Sequence, residues 1–194
     1  MVDYNTIIEV DKDYYNLDDI MATKTNIGCT YGQETPPEIF KIIGQKPPEQ
    51  ILAKGYKTDT PIWMAEMLCT KNVFHVQPQV HRSYVESRRN GLKAKPEVAN
   101  LEDLSLHYYL LGKHVAKLIS GDEGRSIAQC LLHVFMKRSG HIFKLSIDPS
   151  MKPMKCDSVE KKLFSIAQIS EARTTVWFHR TDRKGLKRKF SAAT

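Results

Sequence analysis

The chain has 194 residues and a mass of 22.2 kDa, which allows one ordinary domain or two small ones and excludes a large multidomain enzyme. Its 41% hydrophobic and 26% charged residues exclude a disordered or collagen-like chain. No apolar run approaches the roughly 20 residues that span a bilayer, so no membrane partner and no signal peptide are predicted. The widely spaced Cys29, Cys69, Cys130 and Cys156 are interpreted as reduced, mostly buried thiols of an intracellular protein.

The net charge of +7 is concentrated at the C-terminus. The stretch from Arg180 to Lys189 holds six basic residues and one acid, and the rest of the chain carries only +2. The count therefore does not predict a basic face across the folded body. The tail, residues 181–194, is interpreted as a nuclear-import signal or a phosphate-binding arm, and the alternative is a solvated terminus. The basic residues of this predicted import tail are Arg183, Lys184, Lys187, Arg188 and Lys189.

Residues 1–58 have the texture of a small β-rich domain, because short apolar pieces alternate with Gly and Pro turn signals. The pieces at 27–32 and 39–43 have an extended character. Two proline pairs, at 36–37 and 47–48, remove backbone donors and disfavour long helices.

After residue 58 the pattern becomes helical. Thr60 is predicted to cap a helix whose first residue is Pro61, within a helical connector over residues 59–92. Apolar residues stepping three and four apart predict one continuous helix over residues 101–118. A second long helix follows from about residue 122, and a third begins with a capping box formed by Asp157 and Glu160. The predicted class is α+β, predominantly α, with the small N-terminal β-rich domain followed by a helical bundle domain over residues 93–180.

The chain carries none of the common catalytic or nucleotide-binding motifs, so no catalytic residue and no cofactor are predicted. An enzyme that assembles its site from distant residues remains an alternative. His107 and His114 lie seven residues apart, but two imidazoles do not make a zinc site. They are interpreted as surface or hydrogen-bonded core histidines, and no metal site is predicted.

Asp18 and Asp19 are adjacent carboxylates near the N-terminus. In an extended segment they would point to opposite faces, so they would not converge on one cation. A helix cap or charged turn is the favoured interpretation, and a docking surface is the alternative.

The C-terminal helix carries apolar residues on more than one face, which indicates neighbours on two sides. Trp63 and Trp177 are interpreted as core or subunit-interface aromatics, and removing either ring would cost about 3 kcal/mol if it were fully buried. The full set of candidate interface or core residues is Leu17, Ile20, Ile62, Trp63, Leu163, Phe164, Ile166 and Trp177.

Four segments in order resemble one family. They are YYNLDDI at 14–20, TPIWMAEML at 60–68, KKLFSIAQ at 161–168 and KRKF at 187–190. Together they resemble subunit 3 of the eukaryotic GINS complex. Thr60 departs from the leucine that is more usual in that family, and residues 33–58 match little of its pattern.

The resemblance implies a non-catalytic structural subunit of the heterotetrameric GINS complex, with three sibling subunits as partners. It further implies a place in the CMG replicative helicase beside the MCM motor hexamer and a RecJ-like companion protein, with indirect access to DNA, in the nucleus. The alternative is a free-standing nuclear nucleic-acid-binding protein that uses the basic tail.

Overall fold

A computed structural model describes residues 15–32, 35–36, 38–42, 44, 55–70 and 76–191, with the backbone alone at residue 70 and over 180–191. Within these ranges eight α-helices accompany one three-stranded sheet. The predicted α+β class with predominant helix is confirmed. The helices are α1 (Leu17–Thr23), α2 (Glu38–Ile42), α3 (Ile62–Thr70), α4 (Glu86–Ala94), α5 (Leu101–Leu104), α6 (Tyr108–Ile119), α7 (Gly121–Ser146) and α8 (Ser158–Ser191).

The sheet is antiparallel, with β1 (Asn26–Tyr31) between β2 (Tyr56–Pro61) and β3 (Val76–Pro78). Alternate residues of β1 are buried, as expected of a strand with one covered face. The Tyr31 hydroxyl lies 2.6 Å from Thr60 Oγ1, although the two residues stand at opposite ends of the β1–β2 pairing. The ring of Phe40 meets Tyr31 and Tyr56 edge to face. The aromatic cluster thereby fixes α2 against the sheet.

Two local predictions in this half differ from the structure. Thr60 and Pro61 end β2, and α3 begins one residue later. The Thr60 hydroxyl bonds to Tyr31 in place of a helix cap, so a tertiary contact overrides the local capping signal. The apolar stretch at 39–43 also differs, because residues 38–42 form the short helix α2. The sheet includes β3, which lies within the predicted connector; the domain boundaries themselves stay a prediction.

The continuous helix predicted over residues 101–118 is wrong, because it breaks between α5 and α6. Ser105 is extended, with φ −172° and ψ 139°. The carbonyls near the break bind other elements: Ser83 Oγ donates to Leu104 O at 2.9 Å, and Ser158 N donates to Leu106 O at 2.9 Å. The periodicity continues through the break, but long-range hydrogen bonds replace the helical ones there.

Helices α6 and α7 form the centre of the helical half and join directly at residues 120–121. Gly124 approaches the α6 backbone so closely that a Cβ would lie 2.5 Å from Ala116 O. The buried side chains of this part include Tyr84, Tyr108, Leu111, Val115, Ile127 and Val134. All four cysteines are free thiols, and three of them are buried, as predicted.

No helix in the described part of the chain is long and apolar enough to cross a membrane.

Candidate subunit interface

The first turns of α8 are held to the body by a buried ion pair. Arg138 Nε lies 2.7 Å from Glu160 Oε1, and Arg138 Nη2 lies 2.9 Å from Glu160 Oε2. The remaining guanidinium N–H groups donate to the carbonyls of Pro96, Ala99 and Lys155 at 2.7 to 3.0 Å. Tyr109 donates its hydroxyl to Glu160 at 2.8 Å. Because both charges are matched and bonded, this pair fixes α8 to α7 and to the segment after α4.

Asp157 caps the same helix end. Its Oδ1 accepts from Glu160 N at 2.9 Å, and its Oδ2 accepts from Tyr109 N at 3.2 Å. Burial raises the pKa of this carboxyl to about 6, against the opposing effect of the two backbone N–H donors. The predicted cap is confirmed. The reciprocal half of the predicted capping box is wrong, because the Glu160 side chain pairs with Arg138.

Sequence reasoning missed the Arg138–Glu160 pair. Arg138 lies four residues after Val134 and four before Ile142, and both of those side chains are buried. This spacing places Arg138 on the buried face of α7, which was an available signal. Its partner, 22 residues away on another helix, was not readable from local pattern.

Beyond its base, α8 extends away from the body. Gln168 makes the last described hydrogen bond to another element, from Nε2 to Met151 O at 3.2 Å. Every residue from 169 to 179 is exposed. Among them Ile169 and Val176 lie on one side of the helix together with Ile166, at spacings of three and seven residues. We call these three side chains with Trp177, which is 59% exposed, the α8 stripe.

The predicted interface or core residues divide between these two environments. Ile62 and Phe164 are buried in the core, and Leu163 is half-buried. Trp63 is 45% exposed at the start of α3. The structure does not bring the exposed members into one patch with the core members. Exposed members are Leu17, Ile20, Trp63, Ile166 and Trp177.

A second exposed apolar row, on α7, was not predicted. Leu132, Met136 and Phe143 share one side of the helix and are each about half exposed or more. The signal was present in the sequence as a spacing of four and seven residues.

Asp18 and Asp19 lie in the first turn of α1, where Asn16 caps the helix by accepting from Asp18 N at 3.1 Å. The assumption of an extended segment is therefore wrong for these residues. Asp18 pairs with Lys162 of α8, and Asp18 Oδ1 lies 3.9 Å from His107 Nδ1. The acids thus attach α1 to the helical half. Their docking role stays a prediction.

His114 lies between two carboxylates. Its Nδ1 lies 2.9 Å from Glu66 Oε1, and its Nε2 lies 3.0 Å from Asp19 Oδ1. The hydrogen bond to Glu66, followed by that to Asp19, raises the pKa of His114 although burial lowers it. These two contacts link α6 to α3 and α1, and both ring nitrogens can donate to the carboxylates only when the imidazole is protonated. Both predicted histidines are hydrogen-bonded, since His107 Nδ1 lies 3.0 Å from Ser158 Oγ.

Among the described residues no group of three or more His, Cys, Asp or Glu side chains is arranged to hold a metal ion. The candidate site is a helix that is anchored at one end and presents an exposed apolar stripe at the other. The fold and this stripe define a class: a predominantly helical α+β protein whose longest described helix presents an exposed apolar stripe.

Comparison with known proteins finds relatives that share one name. The chain is 28% identical over 137 residues to the DNA replication complex GINS protein Psf3 of Schizosaccharomyces pombe, covering 71% of this chain and 75% of that protein. It is 27% identical over 179 residues to the protein of the same name in Aspergillus fumigatus, covering 84% and 95%. A Pongo abelii protein of that name is 27% identical over 125 residues, covering 62% and 57%. No family model matches the chain. The chain is thus similar, over most of its length, to proteins named GINS protein Psf3 in fungi and a mammal, which confirms the resemblance seen in the sequence.

Proposed function

We propose that this chain is a structural, non-catalytic subunit of a heterotetrameric GINS complex that acts in DNA replication. The support is its similarity to proteins named GINS protein Psf3 in fungi and a mammal. In this proposal its direct partners are the three sibling subunits. The complex joins the MCM motor hexamer and a RecJ-like companion in the CMG helicase, and reaches DNA through that helicase.

The α8 stripe is the observation that carries this proposal. Ile166, Ile169 and Val176 expose between 52% and 64% of their surface. The helix that presents them is fixed at its base by a buried ion pair, so its outer part has a defined direction. Apolar surface on a rigid element is typical of a permanent interface, which generally buries more than about 2,000 Å² and is rich in apolar residues.

The α7 row extends the same argument to a second helix. Leu132, Met136 and Phe143 add exposed apolar surface on the other long helix of the chain. Two such rows fit a subunit that contacts more than one sibling. In this proposal the chain acts by position: it supplies rigid helices against which other subunits pack.

The basic tail is proposed to direct import into the nucleus. The helix α8 continues to Ser191 and therefore runs through most of the predicted tail. The side chains of Arg183, Lys184, Lys187, Arg188 and Lys189 lie outside the described residues. A fusion of a fluorescent protein to the chain should be nuclear, and the fusion lacking residues 181–194 should lose that location if the tail is the signal.

The proposal is tested by co-expressing the chain with three candidate siblings and measuring mass by light scattering after size exclusion. A 1:1:1:1 particle is expected. The double variant Ile169→Glu/Val176→Glu should abolish it or reduce its yield at least tenfold, because two carboxylates would be buried without partners. Thr175→Glu is the matched control, since residue 175 lies on the opposite side of the same helix and is also exposed.

Two results would contradict the proposal. One is a monodisperse 22 kDa chain that ignores the siblings. The other is assembly that is lost equally in Thr175→Glu and in the stripe variant, which would show that the stripe is not the contact. If the chain does not assemble but binds DNA in a salt-sensitive way that is lost on deleting residues 180–194, the free-standing nucleic-acid-binding alternative replaces it.

A further inference from the structure

The segment that follows α4 forms two adjoining concavities beside α7. The first, of about 450 Å³, is lined on its apolar side by Leu92, Val98 and Leu104. The second, of about 370 Å³, is lined by Lys93, Lys95, His133 and Lys137, among others. Lys95 and Val98 line both, so the two concavities are one continuous surface feature. We call the four basic side chains of the second concavity the basic notch.

The lysines of the basic notch have no carboxylate within 4 Å among the described residues, and all three are exposed. The arginines nearby are different. Arg138 pairs with Glu160, and Arg89 lies 3.5 Å from Glu123. Glu97 is the acid that lines the notch. The chain therefore neutralises its buried cations and leaves those of the notch available to a ligand.

The notch lies next to apolar surface. Val98 is 68% exposed, although it lines both concavities. On α7, Lys137 follows directly after Met136, so the basic face of the helix borders its exposed apolar row. A ligand that fits both features carries negative charge and at least one large apolar group.

We infer that the basic notch and the apolar concavity beside it bind an acidic peptide segment of a partner protein, with an apolar side chain of that segment seated against Val98. The carboxylates would face Lys93, Lys95 and Lys137. A nucleic-acid backbone fits less well, because its phosphates and sugars would leave the apolar concavity unfilled. No Phe, Tyr or Trp side chain lines either concavity in the described part of the chain for a base to stack on. This inference does not depend on which siblings the chain assembles with.

The test uses the full chain together with the subunits that co-purify with it. The probe is a fluorescein-labelled 15-residue peptide of alternating Glu and Ser with a central Leu-Phe pair, and binding is measured by fluorescence anisotropy. Saturable binding that weakens as salt rises from about 50 to 300 mM is expected, because the contacts are exposed ion pairs. The same peptide with Gln for every Glu should bind at least tenfold more weakly.

The matched variants separate the notch from general positive charge. Lys93→Glu/Lys95→Glu/Lys137→Glu should lower the affinity for the acidic peptide at least tenfold. Lys24→Glu/Lys57→Glu/Lys117→Glu makes the same charge change at exposed lysines on other elements and should lower it less than threefold. Val98→Ser should weaken binding of the Leu-Phe peptide but not of a peptide with Ser-Ser at its centre.

Each of the following results would overturn the inference. The Gln peptide binds as well as the Glu peptide, or no saturable binding of the Glu peptide is seen. The two triple variants lose affinity equally. A 30-nucleotide single-stranded DNA binds with the same lysine dependence and displaces the peptide, which would make the notch a nucleic-acid site. Light scattering shows that the notch variant no longer assembles, which would make the notch an intersubunit contact. Failure of the wild-type chain to assemble would instead contradict the proposed function alone.

Discussion

The two ends of α8 differ in what specifies them. At its base, Asp157, Glu160 and Phe164 are buried and contact α6 and α7. Farther along, residues 169–179 are all exposed, and Ile169 and Val176 present apolar surface to solvent. The chain itself determines the base, since every buried charge there has an internal partner. The outer part keeps apolar side chains exposed, and in the proposed assembly these would contact another subunit, so that folding and association would depend on different parts of one helix.

The largest expected effect comes from breaking the base. Arg138→Met leaves the Glu160 carboxylate buried without its partner, which should cost about 3 to 5 kcal/mol in the free energy of unfolding. Urea unfolding followed by circular dichroism measures this. The double variant Arg138→Met/Glu160→Leu should recover much of the loss, because it removes both buried charges together. A loss below about 1 kcal/mol in the single variant would show that the base is not what orders α8.

The pH dependence of the base provides a second test. Burial raises the pKa of Asp157 in the folded chain to about 6, above its ordinary value of 3.8. A raised carboxyl pKa means that the folded state holds the proton more tightly, so Asp157 lowers stability as pH rises from about 4 through 6. In Asp157→Asn the amide oxygen can still accept a backbone bond, but nothing ionises. Between pH 4 and pH 7 the free energy of unfolding of wild type should fall relative to this variant by on the order of 2 to 3 kcal/mol.

The measurement is a series of urea unfolding curves for both proteins at half-unit pH steps. Subtracting the variant from wild type removes the contribution of the other titrating groups. A difference in the free energy of unfolding that stays constant between pH 4 and pH 7, or that changes in the opposite direction, would contradict the raised pKa of Asp157.

A third, smaller effect lies between the two halves of the chain. The pKa of His114 is raised, so its stabilising contribution is fully present below the unfolded value of about 6.5 and is lost as pH rises through the folded value. His114→Gln should cost about 1 to 2 kcal/mol at pH 6 and progressively less toward pH 9. Unfolding curves at these two pH values measure it. An equal cost at both would show that the charge on the imidazole contributes nothing.

The sequence predicted the elements that depend on local contacts and missed those that depend on contacts between residues distant in the chain. The longest helices and the cap at Asp157 were predicted because their signals are local. The helices show periodicity, and the cap is an acid three residues before Glu160, whose N–H it accepts. The break at Ser105 was not, because it depends on Ser83 and Ser158, which are distant in the chain. Thr60 gave a false capping signal because its hydroxyl bonds to Tyr31 of the neighbouring strand.

The candidate interface shows the same division. In the sequence, Leu163, Ile166 and Ile169 cannot all share one helix face with Val159 and Trp177, and this pattern predicts neighbours on two sides of α8. It did not separate Ile166 and Trp177 from Phe164, which is buried only two residues before Ile166. The position of α7 determines which face of α8 is buried. That position is fixed by Arg138 and Glu160, a pair that no local sequence pattern reveals.

The smallest expected effect sharpens the comparison most directly. Full burial of Trp177 would make its replacement by alanine cost about 3 kcal/mol, but the side chain is 59% exposed in the chain. Trp177→Ala should therefore change the free energy of unfolding of the chain by no more than about 0.5 kcal/mol. In the co-expression assay the same variant should lower the yield of the assembled particle. If Trp177→Ala lowers the free energy of unfolding of the chain alone as much as it lowers that of the assembled particle, the tryptophan belongs to the fold. The boundary between the anchored and the exposed parts of α8 then lies beyond residue 177.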